Sequence, residues 1–168
     1  ESNETNNTAI ASTPTQVTGA IPDLVVESIE WQGSPTGLSG VTAPVGQVLR
    51  WTVKNVGGAR ATGTWTDRVL LRFDDPGLGR PDVYVWERQR PNELDPGQDN
   101  NSYTVELDIR NVINSLPSNT GGPMRFVVQT DVYNQVPEGG DVADSVAGNT
   151  LVDDAIIEIG GPDLVAEN

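Results

Sequence analysis

Six oxygen-bearing side chains fall close together late in the chain: Asp131, Asn134, Glu138, Asp141, Asp144 and Asn149. Carboxylates and amides are hard oxygen donors, and Ca²⁺ takes roughly six to eight such ligands from side chains and backbone carbonyls. A long segment containing Gly139 and Gly140 has the freedom to wrap an ion. The spacing does not follow the EF-hand pattern of Asp and Asn at alternate positions, Gly, then Glu. The same residues also suit a solvated acidic loop in which Asp and Asn make local turns. Both readings are open at this level. Asp74 and Asp75 form a second, weaker acidic pair, which joins the first only if both lie at the same end of the fold.

Other chemistry is poorly provided for. The 168 residues include no histidine and no cysteine. The usual general base, the Ser-His and Cys-His nucleophile pairs and the commonest transition-metal ligand are therefore missing. Paired carboxylates for glycoside hydrolysis exist in number, but an acidic chain always offers them, and a short β domain leaves little room for a deep cleft. The Gly-rich turns lack the lysine and helix of a phosphate loop. The expectation is a protein that is not an enzyme. The net charge of −14 repels nucleic acid and anionic lipid. It favours divalent cations, basic partners or simple solubility. No stretch has the apolar length of a membrane-spanning helix.

The elements that must position these groups read as short strands between turns. "QVLRWTV" (47–53) alternates cleanly, with Leu49, Trp51 and Val53 on one face and Arg50 and Thr52 on the other. "SYTVELDI" (102–109) alternates likewise, with Tyr103, Val105, Leu107 and Ile109 inward. "TWTDRVLLRF" (64–73) places Trp65, Val69, Leu71 and Phe73 on one face together with Asp67, which needs a buried partner such as Arg68 or a backbone donor. Further strands are expected over 23–31, 83–89, 124–133 and 150–159, and one helical turn at most over 110–122, ended by Pro117. The pattern predicts an all-β fold, an antiparallel β-sandwich of about seven strands. Of the four tryptophans, Trp51 and Trp65 fit the core. Trp31 and Trp86 sit near strand ends or edges, where they cover the core rim or, with Tyr84, line a sugar-binding platform.

Two phrases recur. "IPDLVVES" (21–28) and "GPDLVAEN" (161–168) agree at Pro22/Pro162, Asp23/Asp163, Leu24/Leu164, Val25/Val165 and Glu27/Glu167, at a constant offset of 140 residues (162 against 22). "ESNETNNT" (1–8) likewise echoes "EGGDVADSVAGNT" (138–150). A spacing of this size means whole domains in series rather than a solenoid. The organisation expected is residues 1–20 as a tail or linker from a preceding repeat, 21–160 as one domain, and 161–168 as the start of the next repeat.

The order "PDLVVESIEW", "GQVLRWTVKNVG", "WTDRVLLRFD", "LDPGQ" and "FVVQTDVYNQVPEGGDVADSVAGNT" resembles CARDB modules, the cell-adhesion-related domains found in bacteria. The resemblance covers residues 22–159. It departs at 138–149, which is longer than the usual "E-x-N-E-x-N-N", with Gly148-Asn149 in place of the final pair. The resemblance implies an immunoglobulin-like sandwich, often in tandem, in large secreted or surface proteins, with no catalysis. On that basis the chain is expected to be a spacer module of an extracellular or cell-surface adhesin, with calcium as a candidate stabilising ion and no other cofactor. The expected partners are neighbouring repeats of the same chain and a surface glycan or protein. The module itself is expected to be monomeric, with no nucleic acid and no membrane insertion. The alternative is a carbohydrate- or protein-binding β-sandwich.

Overall fold

The computed structural model describes residues 20–33, 46–97, 101–117, 120–138 and 148–160. Among these residues eight strands, one α-helical turn and a 3₁₀ turn (Pro76–Leu78, between β3 and β4) follow in the order β1 (Leu24–Gln32), β2 (Val48–Asn55), β3 (Ala61–Phe73), β4 (Val83–Leu94), β5 (Ser102–Asp108), α1 (Ile109–Ile113), β6 (Gly122–Gln129), β7 (Thr150–Val152) and β8 (Ile157–Ile159). One sheet has the order β1-β2-β5; the other runs β4-β3-β6, with β7 and β8 both pairing β6. All pairings are antiparallel. The fold is the all-β sandwich that the strand pattern predicts.

The alternating residues meet between the sheets. Leu49, Trp51 and Val53 of β2 join Val69 and Leu71 of β3, Val105 and Leu107 of β5, and Met124, Phe126 and Val128 of β6 in the main core. Such faces are driven together by removing apolar area from water, about 25 cal/mol per Å². A second, smaller cluster collects Leu24, Ala61, Trp65, Leu94 and Val136 at one end.

Three details differ from the sequence pattern. Ile109 is buried as expected, but it opens α1 rather than closing β5. The Asp108 carboxylate accepts the Arg110 N–H at 2.9 Å and caps that turn. The expected strand 124–133 ends at Gln129, because Asp131 takes a left-handed backbone (φ 45°). The expected strand 150–159 is two strands. The Asp153 side chain accepts the Ala155 N–H at 3.2 Å, forming an Asx-type turn between β7 and β8. Arg125 holds the displaced carbonyls of Asp153 and Asp154.

The two ends of the domain are distinct. Leu24, the first residue of β1, lies beyond the last residue of β6, where its N–H meets Glu138 and its neighbour Val25 meets Gly148. The far end of β1 reaches the middle and start of β6: Trp31 stands edge-on to Phe126 at 5.5 Å and donates to Asp153. Ile159, the last residue of β8, pairs with Gly122, the first of β6. The chain therefore enters at the finishing end of β6 and leaves at its starting end. That separation is roughly 25 Å at the usual rise of a strand.

Candidate functional site

The acidic segment after β6 forms an arch whose groups bond to one another. Asp131 and Asn134 both adopt left-handed backbones, a conformation that Asp and Asn tolerate better than most residues. The Asp131 carbonyl accepts the Asn134 N–H at 2.9 Å. The Asp131 carboxylate, 3% exposed, accepts the N–H groups of Gln135 (2.7 Å) and Val136 (2.9 Å). Thr66 at the root of the arch donates to the Gln135 side chain at 2.8 Å and accepts the Val132 N–H at its carbonyl. Val136, 1% exposed, enters the smaller cluster beside Leu24 and Trp65. Glu138 then crosses to β1, where Oε1 accepts the Leu24 N–H at 2.6 Å and Oε2 accepts Asn149 Nδ2 at 3.0 Å. Asn149 in turn gives its carbonyl to the Thr130 N–H at 2.8 Å.

Burial raises the Glu138 carboxyl above the ordinary range. The Asn149 and Leu24 donors pull it back, while the charges of Asp131 and Asp23 push it further up.

Of the expected calcium ligands, the structure brings Asp131, Glu138 and Asn149 into this arch and leaves Asn134 exposed on its crest. Asp141 and Asp144 lie outside the described residues. Asp74 and Asp75 do not join them. Asp74 follows the end of β3, which is antiparallel to β6, so it sits at the opposite pole, with its N–H on the Pro123 carbonyl and its carboxylate on Arg125 at 2.6 Å. Asp75 caps a single 3₁₀ turn through the Gly77 N–H. Among the described residues, no three His, Cys, Asp or Glu side chains are grouped to hold a metal ion. Asp131 and Glu138 each accept protein N–H groups.

One prediction follows from that engagement. Replacing Asp131 with alanine removes the acceptor of two N–H groups and the residue type that tolerates its backbone. The expected loss is about 2–4 kcal/mol of unfolding free energy. Urea melts should give the same loss in calcium and in excess chelator. A loss confined to calcium would show that Asp131 serves an ion.

A polar network absent from the sequence reading lies in the core. Asp67 is fully buried on β3. Its partners are the Tyr103 hydroxyl (2.8 and 2.9 Å) and the Thr130 hydroxyl (2.8 Å), with Arg90 Nε at 3.6 Å. Trp65 Nε1 donates to the same Tyr103 oxygen at 2.9 Å. Neither expected partner is used: Arg68 points outward to Glu87 and Tyr133, and the hydrogen bonds come from a hydroxyl on β5 and one just past the end of β6. Only the inward position of Asp67 signalled that a partner was needed.

Of the two alternatives for Trp86, the core rim is the one its packing fits, and Tyr84 does not stand beside it. β4 carries a bulge, so that Val69 opposes Trp86 but Leu70 opposes Tyr84. Residues paired across a sheet share a face. Trp86 thus follows Val69 inward, edge-on to Trp51 at 5.4 Å, while Tyr84 follows Leu70 outward and is 59% exposed. Beside the arch, however, a polar cavity of about 170 Å³ is lined by Arg68, Gln129, Thr130, Asp131, Asn134 and Asn149.

One solved structure to which the chain is similar is a CARDB domain. It comes from Pyrococcus furiosus and was crystallised in complex with di-metal ions; it is 19% identical to this chain, with a TM-score of 0.49, over 82% of this chain and 88% of that one. A β-glucosidase from Listeria innocua, in complex with isofagomine, is 15% identical with a TM-score of 0.40, and a β-D-glucoside glucohydrolase from Trichoderma reesei is 13% identical with a TM-score of 0.36. This chain spans 16% and 18% of those two enzymes' lengths. No family profile matches the sequence, and no curated protein matches it. Among the described residues no helix is long and apolar enough to cross a membrane.

Proposed function

We propose that this domain is a non-catalytic structural link of an extracellular or cell-surface adhesin, one module in a longer series. The observation that carries the reading is the placement of its ends. β1 opens at one pole and β8 closes at the other, in different sheets. Tension applied along the chain would be resisted by β1 against β2, over eight register pairs from Leu24↔Asn55 to Gln32↔Val48, and by the short β8 against β6. The absence of histidine and cysteine and the internal bonding of Asp67, Asp131 and Glu138 support a load-bearing role over a chemical one. The sequence resemblance to CARDB modules points the same way. The reading does not depend on calcium.

The chain has no cysteine, so two introduced ones are unique handles. With Ala20→Cys and Gly160→Cys as attachment points, single-molecule pulling should show one abrupt unfolding event. Smooth lengthening with no force peak would remove the structural-link reading.

The second reading is binding of a carbohydrate, and it now rests on the cavity beside the arch rather than on Trp86. Its amides and Arg68 suit the hydroxyls of a sugar. A glycan array discriminates: retention that Arg68→Ala and Asn134→Ala abolish would favour it.

A further inference from the structure

The outer face of the second sheet carries an apolar row where a sandwich ordinarily meets water with polar groups. Leu70 on β3 pairs with Tyr84 on β4 and with Val127 on β6, and Val127 pairs with Val152 on β7. Val69 and Leu71 point into the core, so Leu70 and its three partners point outward. Tyr84 is 59% exposed at one end of the row and Val152 36% exposed at the other. The neighbouring row is polar: Arg68 pairs with Glu87 and Gln129, and Gln129 with Thr150.

Tyr133 reaches from the arch onto that polar row. Its hydroxyl accepts from Arg68 Nη2 at 2.8 Å and donates to Glu87 at 3.0 Å, and the Arg68 guanidinium lies 5.2 Å from the ring centroid. The residue is nevertheless 58% exposed. An aromatic ring held in place before anything binds offers broad apolar contact at little entropic cost. Tyr133 stands in sequence between Val132 and Asn134, which both line the polar cavity, and Arg68 belongs to the cavity and to the seat of the ring. The Tyr84 row crosses β3 two residues further on, about 7 Å away. Cavity, Tyr133 and Tyr84 form one continuous surface.

The charges on this face are balanced, although the chain carries −14. Arg68 holds Glu87, Arg72 holds Asp82 and Arg125 holds Asp74. The Asp131 carboxylate in the cavity wall accepts two backbone N–H groups. Paired charges present donors and acceptors without a net field, and so select an uncharged partner rich in hydroxyls.

We infer that this face binds a neutral oligosaccharide, one sugar unit in the cavity and the following units against the rings of Tyr133 and Tyr84. The inference rests on the second reading above, a carbohydrate in the cavity, and extends it to a chain of sugars lying along the sheet. A pyranose has an apolar ring face for the tyrosines and a rim of hydroxyls for Arg68, Gln129 and Asn134.

The test is calorimetric titration of the 168-residue protein with neutral hexasaccharides of glucose, mannose and galactose, with the three monosaccharides, and with hexagalacturonate as the acidic control. At least one neutral hexasaccharide should bind, about tenfold or more tighter than its monosaccharide, and the acidic control should not. Tyr84→Ala should weaken the hexasaccharide by about fivefold or more and leave the monosaccharide unchanged. Tyr133→Ala should weaken both, and Tyr133→Phe, which keeps the ring but frees it, should fall between. Tyr84 is exposed, so its variant should melt with the natural protein. A ligand lost with Asn134→Ala but indifferent to both tyrosines overturns the extended surface and keeps the cavity reading. One lost with the tyrosines but indifferent to Asn134→Ala does the reverse. Binding of no neutral hexasaccharide, or preference for the acidic one, overturns the inference. So does self-association in sedimentation that Tyr84→Ala abolishes, which would give the face to a second copy of the chain.

Discussion

Replacing Asn55 with alanine is expected to lower the unfolding free energy by about 3 kcal/mol, more than most polar substitutions achieve. Asn55 is fully buried where β2 turns toward β3. Its side-chain oxygen accepts the N–H groups of Asp23 (3.1 Å) and Gly57 (3.0 Å). Its amide nitrogen donates to the carbonyls of Ala59 (2.8 Å) and Leu94 (2.9 Å). Alanine leaves all four backbone groups without that partner, and each buried orphan costs about 1–3 kcal/mol. Three of the four bonds are only part-buried, so the total stays below the full sum. Asn55→Asp keeps the acceptor, loses both donor bonds and buries a charge, so it should not rescue. Gly57→Ala should be comparably damaging by a different route. An added Cβ would sit 2.4 Å from the Ile21 carbonyl oxygen and 2.5 Å from the Asp23 nitrogen, both backbone atoms that cannot swing aside. Because both changes break the same seating of β1, their combined cost should fall short of the sum. Urea denaturation of the two variants and the double variant measures this. Losses below about 0.5 kcal/mol for both would mean that Asn55 and Gly57 do not hold the start of β1 in place.

The sequence and the structure agree where a single face decides the outcome. Leu49, Trp51 and Val53 alternate with polar neighbours, and all three are fully buried, because period two has only one way to hide its apolar set. The same holds along Trp65, Val69 and Leu71. Disagreement appears where one residue overrides the period. The bulge on β4 turns Tyr84 away from Trp86, and no residue type there announces it. Asp153 breaks the expected strand 150–159 by bonding its own backbone two residues on. Of the site, the residue types were legible but their targets were not. Asp131 and Glu138 look alike as ion ligands or as caps until the N–H groups of Gln135, Val136 and Leu24 are seen beside them. Those donors are backbone, and backbone donors leave no mark in a sequence. The pole occupied by Asp74 and Asp75 depends on strand order, which the local pattern does not encode.

Asp67 gives the pH dependence a sign opposite to that of ordinary paired carboxylates. Burial raises its pKa, against the lowering pull of the Tyr103 and Thr130 hydroxyls and the Arg90 charge. In the unfolded chain the group titrates near the ordinary value of about 4. Between that value and the raised folded one, the native state keeps a proton that the unfolded state has lost. Stability from this group is therefore fully present below the unfolded pKa and declines as pH rises through the folded pKa. Asp67→Asn is neutral at every pH and retains one acceptor for Tyr103 or Thr130. The stability of the natural protein relative to Asp67→Asn should therefore fall as pH is raised from 4, with a slope no steeper than about 1.4 kcal/mol per pH unit. Taking the difference cancels the other titrating groups, including Glu138, whose carboxyl is raised by the same cause. Arg90→Met should extend the decline to higher pH, since it removes the cation that favours the charged form and leaves the two hydroxyl donors in place. Urea melts across the range settle the sign. A difference that grows with pH would mean that Arg90 and the hydroxyls outweigh burial, and that Asp67 is held as a stable buried anion.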